Sequence, residues 1–76
     1  MVTVYSQPNC NNCTNVKRFL DMKGISYREI DIQEDPQALS RILEWGYKTT
    51  PVVETAEGEH WADFRIEKML KLCATV

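Results

Sequence analysis

The stretch VTVYSQPNCNNCTNVKRFL, residues 2–20, sets two different periods side by side. Val2 to Ser6 is short and β-branched and stops at a Pro-Asn turn, the pattern of a buried strand. A helix is expected from Cys10 or Asn11 to Lys23, because Cys13, Val16, Phe19 and Leu20 recur at helical spacing and Gly24 supplies a stop. One strand therefore hands its chain to one helix almost at once, and two cysteines sit at the handover. SYREIDI, residues 26–32, then alternates: Arg28, Ile30 and Ile32 point one way, and Tyr27, Glu29 and Asp31 the other. That is a second strand, polar on part of one face, at a sheet edge. A strand–helix–strand start implies a parallel pair with a right-handed crossover.

The remainder repeats the vocabulary. Asp35 is a good helix N-cap and Pro36 fits the first helical position, with Leu39, Ile42 and Leu43 as the inner stripe and Gly46 as the end. PVVE, residues 51–54, reads as a short strand, and TAEGE turns it back into an antiparallel EHW. A last helix is expected from Asp63 or Phe64 to Ala74, its inner stripe Ile66, Met69, Leu70 and Cys73. The order strand, helix, strand, helix, strand, strand, helix gives an α/β sheet with the first and third helices on one face and the second on the other. Ligand chemistry in such sheets gathers at the carboxyl ends of the parallel strands, where Cys10 lies.

At 76 residues the chain is read as one domain, residues 1–76. A chain of that length buries only ~60% of its unfolded surface, so its core has little margin. The chain has no basic start followed by an apolar run, hence no signal peptide, and no apolar stretch near the ~20 residues of a membrane span. Three cysteines cannot all pair with one another, which points to a reducing, cytoplasmic setting. The net charge of -2 argues against nucleic acid as the partner. Nothing calls for an oligomer, so a monomer is the default.

Two thiols at this spacing have three uses: half a zinc site, a structural crosslink, or a dithiol that opens and closes. Residues three apart share a helix face at ~5–6 Å between Cβ atoms, inside the reach of a disulfide. Free amides at the helix start stabilise a thiolate on Cys10, and thiols so placed can titrate near or below ~7 rather than ~8.5. Cys13 belongs to the apolar stripe and Cys10 to the exposed tip. Cys10 is therefore expected to attack a substrate disulfide, and Cys13 to displace the product. Zinc normally takes four ligands, usually with a second close pair, and only His60 and Cys73 remain here, neither in a paired motif. Lys17 lies on a flank of the same helix face and reads as a solvated lysine rather than a thiolate partner. His60, Trp61, Phe64 and Cys73 read as structural residues. No metal and no cofactor is expected.

Taken together, VTVYSQPNCNNC, GISYREIDI, GYKTTPVV and HWADFR resemble the glutaredoxin-like redoxins of the thioredoxin superfamily, most closely the NrdH-redoxin group, over nearly the whole chain. The resemblance implies a thioredoxin fold, βαβαββα, with a four-stranded mixed sheet flanked by three helices. It implies Cys10 as nucleophile and Cys13 as resolving thiol, a cis Pro51, and a Thr50 backbone that pairs with an extended substrate segment. It implies a thiol-disulfide oxidoreductase that takes electrons from NADPH through thioredoxin reductase and passes them to the large subunit of a class Ib ribonucleotide reductase. Glutathione-using glutaredoxins carry a Gly-Gly turn followed by acids, where this chain has Ala62, Asp63, Phe64, Arg65 and Ile66, a poor glutathione site. The chain also departs from the NrdH pattern at Gln7, at Ala62-Asp63 in place of Ser-Gly, at Ile66 in place of proline, and at Asn11-Asn12. The alternatives are a glutathione-coupled glutaredoxin, a small zinc-binding module, and a thiol-sensing regulator of the Spx type, for whose helical insertion this chain has no room.

Overall fold

Seven elements follow the expected order in the computed structural model: β1 (Val2–Ser6), α1 (Asn11–Met22), β2 (Tyr27–Asp31), α2 (Pro36–Glu44), β3 (Val52–Glu54), β4 (His60–Ala62) and α3 (Ile66–Ala74). The structure describes residues 1–74, with side chains through Leu72, so the expected burial of Cys73 lies outside the described side chains. The sheet order is β2-β1-β3-β4, which puts β2 at an edge as its mixed polarity foretold. β1 and β2 run parallel from Val2↔Tyr27 to Ser6↔Asp31. β3 joins antiparallel with Val4 opposite Val53, and β4 follows with Val53 opposite Trp61. This is the thioredoxin fold.

Alternation along the strands feeds two cores. Val2, Val4, Val53 and Trp61 face α1 and α3, where they pack on Val16, Leu20, Ile25, Met69 and Leu72. Tyr5, Val52 and Ile32 face α2, where they meet Ala38 and Ile42. Helix α1 buries the expected Cys13, Val16 and Leu20, with Phe19 partly covered.

Two inner stripes need correction. In α2 the sheet-facing pair is Ala38 and Ile42, while Leu39 and Leu43 are 37% and 51% exposed. Asp35 sets the phase by accepting from the Gln37 and Ala38 amides at 3.1 Å. Trp45 and Tyr47 supply bulk beside the small Ala38, so the leucines are turned outward. In α3, Met69 and Leu72 are buried, whereas Ile66 and Leu70 are 47% and 52% exposed. That helix begins later than Asp63 or Phe64, because Asp63 takes a left-handed φ of 67° that breaks helical continuity. The first full helical bond runs from the Met69 amide to the Arg65 carbonyl.

Helices α1 and α2 end in the same glycine motif. Gly24 and Gly46 adopt φ of 68° and 90°. After α1, the Ile25 amide donates to the Leu20 carbonyl and the Gly24 amide to Asp21; after α2, Tyr47 donates to Ile42 and Gly46 to Leu43. In each case the residue after the glycine packs in the same core as its bonded partner, the Schellman arrangement. The second of these motifs delivers Tyr47 into the α2-side core and launches the loop to Pro51.

Candidate active site

The dithiol is built by the break between β1 and α1. Pro8 and Asn9 turn the chain, with Asn9 at φ 61°, a left-handed conformation that asparagine tolerates better than most residues. Cys10 then takes extended backbone (φ -112°, ψ 106°) and caps α1. Its Sγ accepts from the Cys13 amide at 3.1 Å, and its carbonyl accepts from the Thr14 amide at 3.2 Å and the Thr14 hydroxyl at 3.3 Å. A sulfur in the N-cap position thus replaces the serine or aspartate oxygen that usually holds this amide. The same donation favours a thiolate over a thiol, and no carboxylate stands in the first turn to oppose it.

Cys10 and Cys13 are joined by a disulfide with their Cα atoms 5.2 Å apart. Cys10 is partly exposed, whereas Cys13 is 2% exposed. The pair is asymmetric in the sense the sequence suggested: one sulfur meets solvent, and the other sits one turn inside.

Thr50 and Pro51 lead into β3, whose start lies beside the end of β1 and so next to the dithiol. The Thr50–Pro51 peptide is cis, as the family resemblance implies. Both residues are buried, and the Thr50 hydroxyl donates to Cys10 Sγ at 3.5 Å. The Pro51 carbonyl accepts from the Asp63 amide at 2.8 Å, which ties this wall to the end of β4. Asp63 holds a left-handed φ of 67° at this turn.

A cleft of about 460 Å³ opens against both cysteines, between the β1–α1 loop and the end of β2. Its charged lining is Lys17, Glu29, Asp31 and Glu34. Lys17 is not simply a solvated lysine. Its Nζ lies 2.8 Å from Glu29 Oε2, which also accepts from the buried Ser6 hydroxyl at 2.8 Å. The hydrogen bond to Glu29 pushes the Lys17 pKa up, and the bonds from Lys17 and Ser6 push the Glu29 pKa down, so the pair is doubly charged at neutral pH. Sequence reasoning missed Glu29, Ser6, Asp31 and Glu34 as members of the site. The available signal was register: a parallel β1–β2 pair that ends level brings Ser6 opposite Asp31 beneath the cysteine loop.

The remaining singled-out residues lie elsewhere. His60 stacks on Trp45 at 4.1 Å between centroids, and its Nδ1 is 2.7 Å from the Tyr47 hydroxyl. Trp61 is core, and Phe64 packs edge-on against Phe19 at 6.1 Å. Among the described residues no three His, Cys, Asp or Glu side chains converge as metal ligands. No helix among them is long and apolar enough to cross a membrane.

Comparison with known proteins agrees with this geometry. The family model for glutaredoxin matches residues 2–61. A glutaredoxin-like protein NrdH of Lactococcus lactis subsp. cremoris is 38% identical over 72 residues, covering 95% of this chain and 99% of that protein. The NrdH-redoxin of Escherichia coli, described as glutaredoxin-like with a thioredoxin-like activity profile, superposes with a TM-score of 0.88 at 25% identity, covering 93% of this chain and 92% of that one. A crystallised thioredoxin-like protein superposes with a TM-score of 0.85 at 38% identity, covering 95% and 99%.

Proposed function

The chain belongs to the glutaredoxin family of thiol-disulfide oxidoreductases, as an NrdH-type redoxin, and from that premise we propose that residues 1–76 act as one monomeric, cytoplasmic electron carrier in which Cys10 is the nucleophile and Cys13 the resolving thiol. The observation that carries the reading is the 3.1 Å donation from the Cys13 amide to the partly exposed Cys10 sulfur, beside a buried Cys13. In the reduced protein the Cys10 thiolate attacks one sulfur of a substrate disulfide. That S–S bond breaks, a mixed disulfide forms, and the first substrate sulfur leaves as a thiolate. Cys13, deprotonated, then attacks Cys10 Sγ, releases the second substrate thiolate and closes the intramolecular disulfide. Two electrons pass to the substrate, whose two thiolates take up protons. The Thr50 backbone pairs with an extended segment flanking the substrate disulfide, and Pro51 holds that edge in place.

The electrons come from NADPH through thioredoxin reductase, and the client is the large subunit of a class Ib ribonucleotide reductase. Support for the donor is the turn after β4, where Ala62, Asp63, Phe64, Arg65 and Ile66 offer glutathione neither a Gly-Gly turn nor the acids beyond it. Support for the client is membership of the NrdH group. NADPH consumption with a protein disulfide, supplied with thioredoxin reductase in one vessel and with glutathione and its reductase in another, is expected to proceed in the first. Activity confined to the second would overturn the donor assignment. Cys10→Ser is expected to abolish turnover and Cys13→Ser to trap a covalent substrate adduct; the reverse pattern would overturn the roles of the two sulfurs.

A further inference from the structure

We propose that Glu29 is a specificity-determining residue of the dithiol cleft: by holding Lys17 in an ion pair it leaves the cleft anionic, so that disulfide partners with cationic flanks react faster than anionic ones. The inference rests on the dithiol reading above and concerns which partners that chemistry reaches.

The cleft that opens against Cys10 and Cys13 is otherwise lined by Ser6, Gln7, Pro8, Asn9 and Thr14, none of them charged. Its four charged groups sum to -2, from three carboxylates and one ammonium. The ammonium is the one group that would welcome an anion beside the reacting sulfurs. Its charge is offset, because its Nζ is 2.8 Å from Glu29 Oε2 in a solvent-accessible pair. Glu29 is itself fixed from below by the Ser6 hydroxyl at 2.8 Å, and Ser6 is 4% exposed at the end of β1. A carboxylate anchored by a buried hydroxyl holds the lysine in one place, so the pair is a built feature of the cleft wall. Asp31 accepts from the Gln33 amide at 2.8 Å at the end of β2, while Glu34 is exposed at the rim. Neither has a cationic partner among the described residues. A substrate peptide that carries Lys or Arg next to its disulfide meets these two carboxylates. One that carries Glu or Asp, or a small anionic thiol, meets them too and is repelled. Charge of one sign lining a cleft acts on association rate and on partner choice.

Single charges about 8–10 Å from a reacting group at a wet surface change an association rate about two- to fivefold at low salt, and far less at about 0.5 M. The test uses pre-reduced, desalted protein and three peptides of equal length that differ only in the residues flanking one disulfide: lysine, glutamate or glutamine. Acid quenching and alkylation give the second-order rate constants. The lysine peptide is expected to react several-fold faster than the glutamate peptide at low salt, with the gap closing as salt rises. Glu29→Gln frees the lysine charge and narrows the gap; Lys17→Gln leaves Glu29 uncompensated and widens it. A purely structural role for the pair would move the gap in neither case, or in the same direction in both. Equal rates for the lysine and glutamate peptides in the parent protein, or substitutions that shift the gap together, overturn the proposal. Loss of all reaction, the glutamine peptide included, overturns the dithiol reading instead.

Discussion

The two faces of the sheet are held by different physics, and the active site draws one part from each. The face under α1 and α3 is hydrocarbon: Val2, Val4, Val16, Leu20, Ile25, Val53, Met69 and Leu72 surround Trp61. The face under α2 is smaller and laced with directional contacts. Tyr5 Oη donates to Glu54 at 2.8 Å, Arg41 pairs with Glu54 at 2.8 Å and lies 5.2 Å from the Trp45 ring, and Trp45 stacks on His60, which bonds Tyr47. Helix α1, which carries the dithiol, rests on the first face. The loop from Tyr47 to Pro51, which brings Thr50 to the sulfur, hangs from the second. A helix can be seated by nondirectional burial, because its own hydrogen bonds keep it rigid. A short loop has no such rigidity, so bonds with preferred angles must fix it.

The largest effect is expected on the hydrocarbon face. Leu20 is fully buried, so Leu20→Ala is expected to cost about 3 kcal/mol, within the usual range for a cavity of that size. A chain of this length has a total stability of roughly 4–11 kcal/mol, so this one change removes a large part of it. Chemical denaturation measures it directly. A loss below about 1 kcal/mol would mean that α1 is held by something other than this packing, and the contrast between the faces would fail.

On the other face the corresponding handle is pH. Burial, and then donation to Glu54, push the Tyr5 phenol up to about 12 from its ordinary 10. The folded state therefore favours the neutral phenol. The stabilisation is fully present below pH 10 and is lost as pH rises through about 12. A displacement of that size corresponds to about 2–3 kcal/mol of alkaline destabilisation. Tyr5→Phe is expected to cost about 1 kcal/mol at neutral pH, for the lost hydrogen bond, and to flatten this alkaline decline. If stability falls in parallel for both proteins over that interval, Tyr5 is not the titrating group and the polar lacing matters less than its geometry suggests.

These contrasts mark what the sequence disclosed. Element order, the edge position of β2 and the burial of Cys13 followed from period and punctuation, because strands and glycine stops leave local signatures. The cysteine pair was legible for the same reason: its spacing is local. What local pattern could not give was helix phase where two candidate stripes overlap. Leu39 and Leu43 looked like core and are not, because Trp45 and Tyr47 fill the α2 side around Ala38 and that choice belongs to tertiary packing. Nor could it give Lys17 against Glu29, which are 12 residues apart and meet only once β2 lies parallel to β1. The Thr50 hydroxyl on Cys10 joins residues 40 apart, and neither spacing nor the resemblance to known redoxins foretold it; the resemblance supplied only the cis Pro51 and a Thr50 backbone that pairs with a substrate segment.

The smallest effect offers the sharpest comparison between the faces. Tyr47→Phe keeps the ring in the α2-side core and removes only the hydroxyl that meets His60 Nδ1 at 2.7 Å and the His60 carbonyl at 3.3 Å. Its expected cost in stability is about 1 kcal/mol or less, well short of Leu20→Ala. Its consequence for reactivity is different in kind. Tyr47 lies three residues before Thr50, so losing its tether loosens the wall proposed to pair with an extended substrate segment, while Cys10 keeps its shorter bond from the Cys13 amide on α1 at 3.1 Å and only its 3.5 Å contact with the Thr50 hydroxyl is exposed to the change. The rate constant for a peptide disulfide is expected to fall about two- to threefold, the equivalent of about 0.4–0.7 kcal/mol, while that for a small disulfide too short to pair with Thr50 stays at the parent value. Equal loss with both substrates would place the effect on the sulfur itself and tie the two faces together; no loss with either would show that the loop is seated by Pro51 and the Asp63 amide alone.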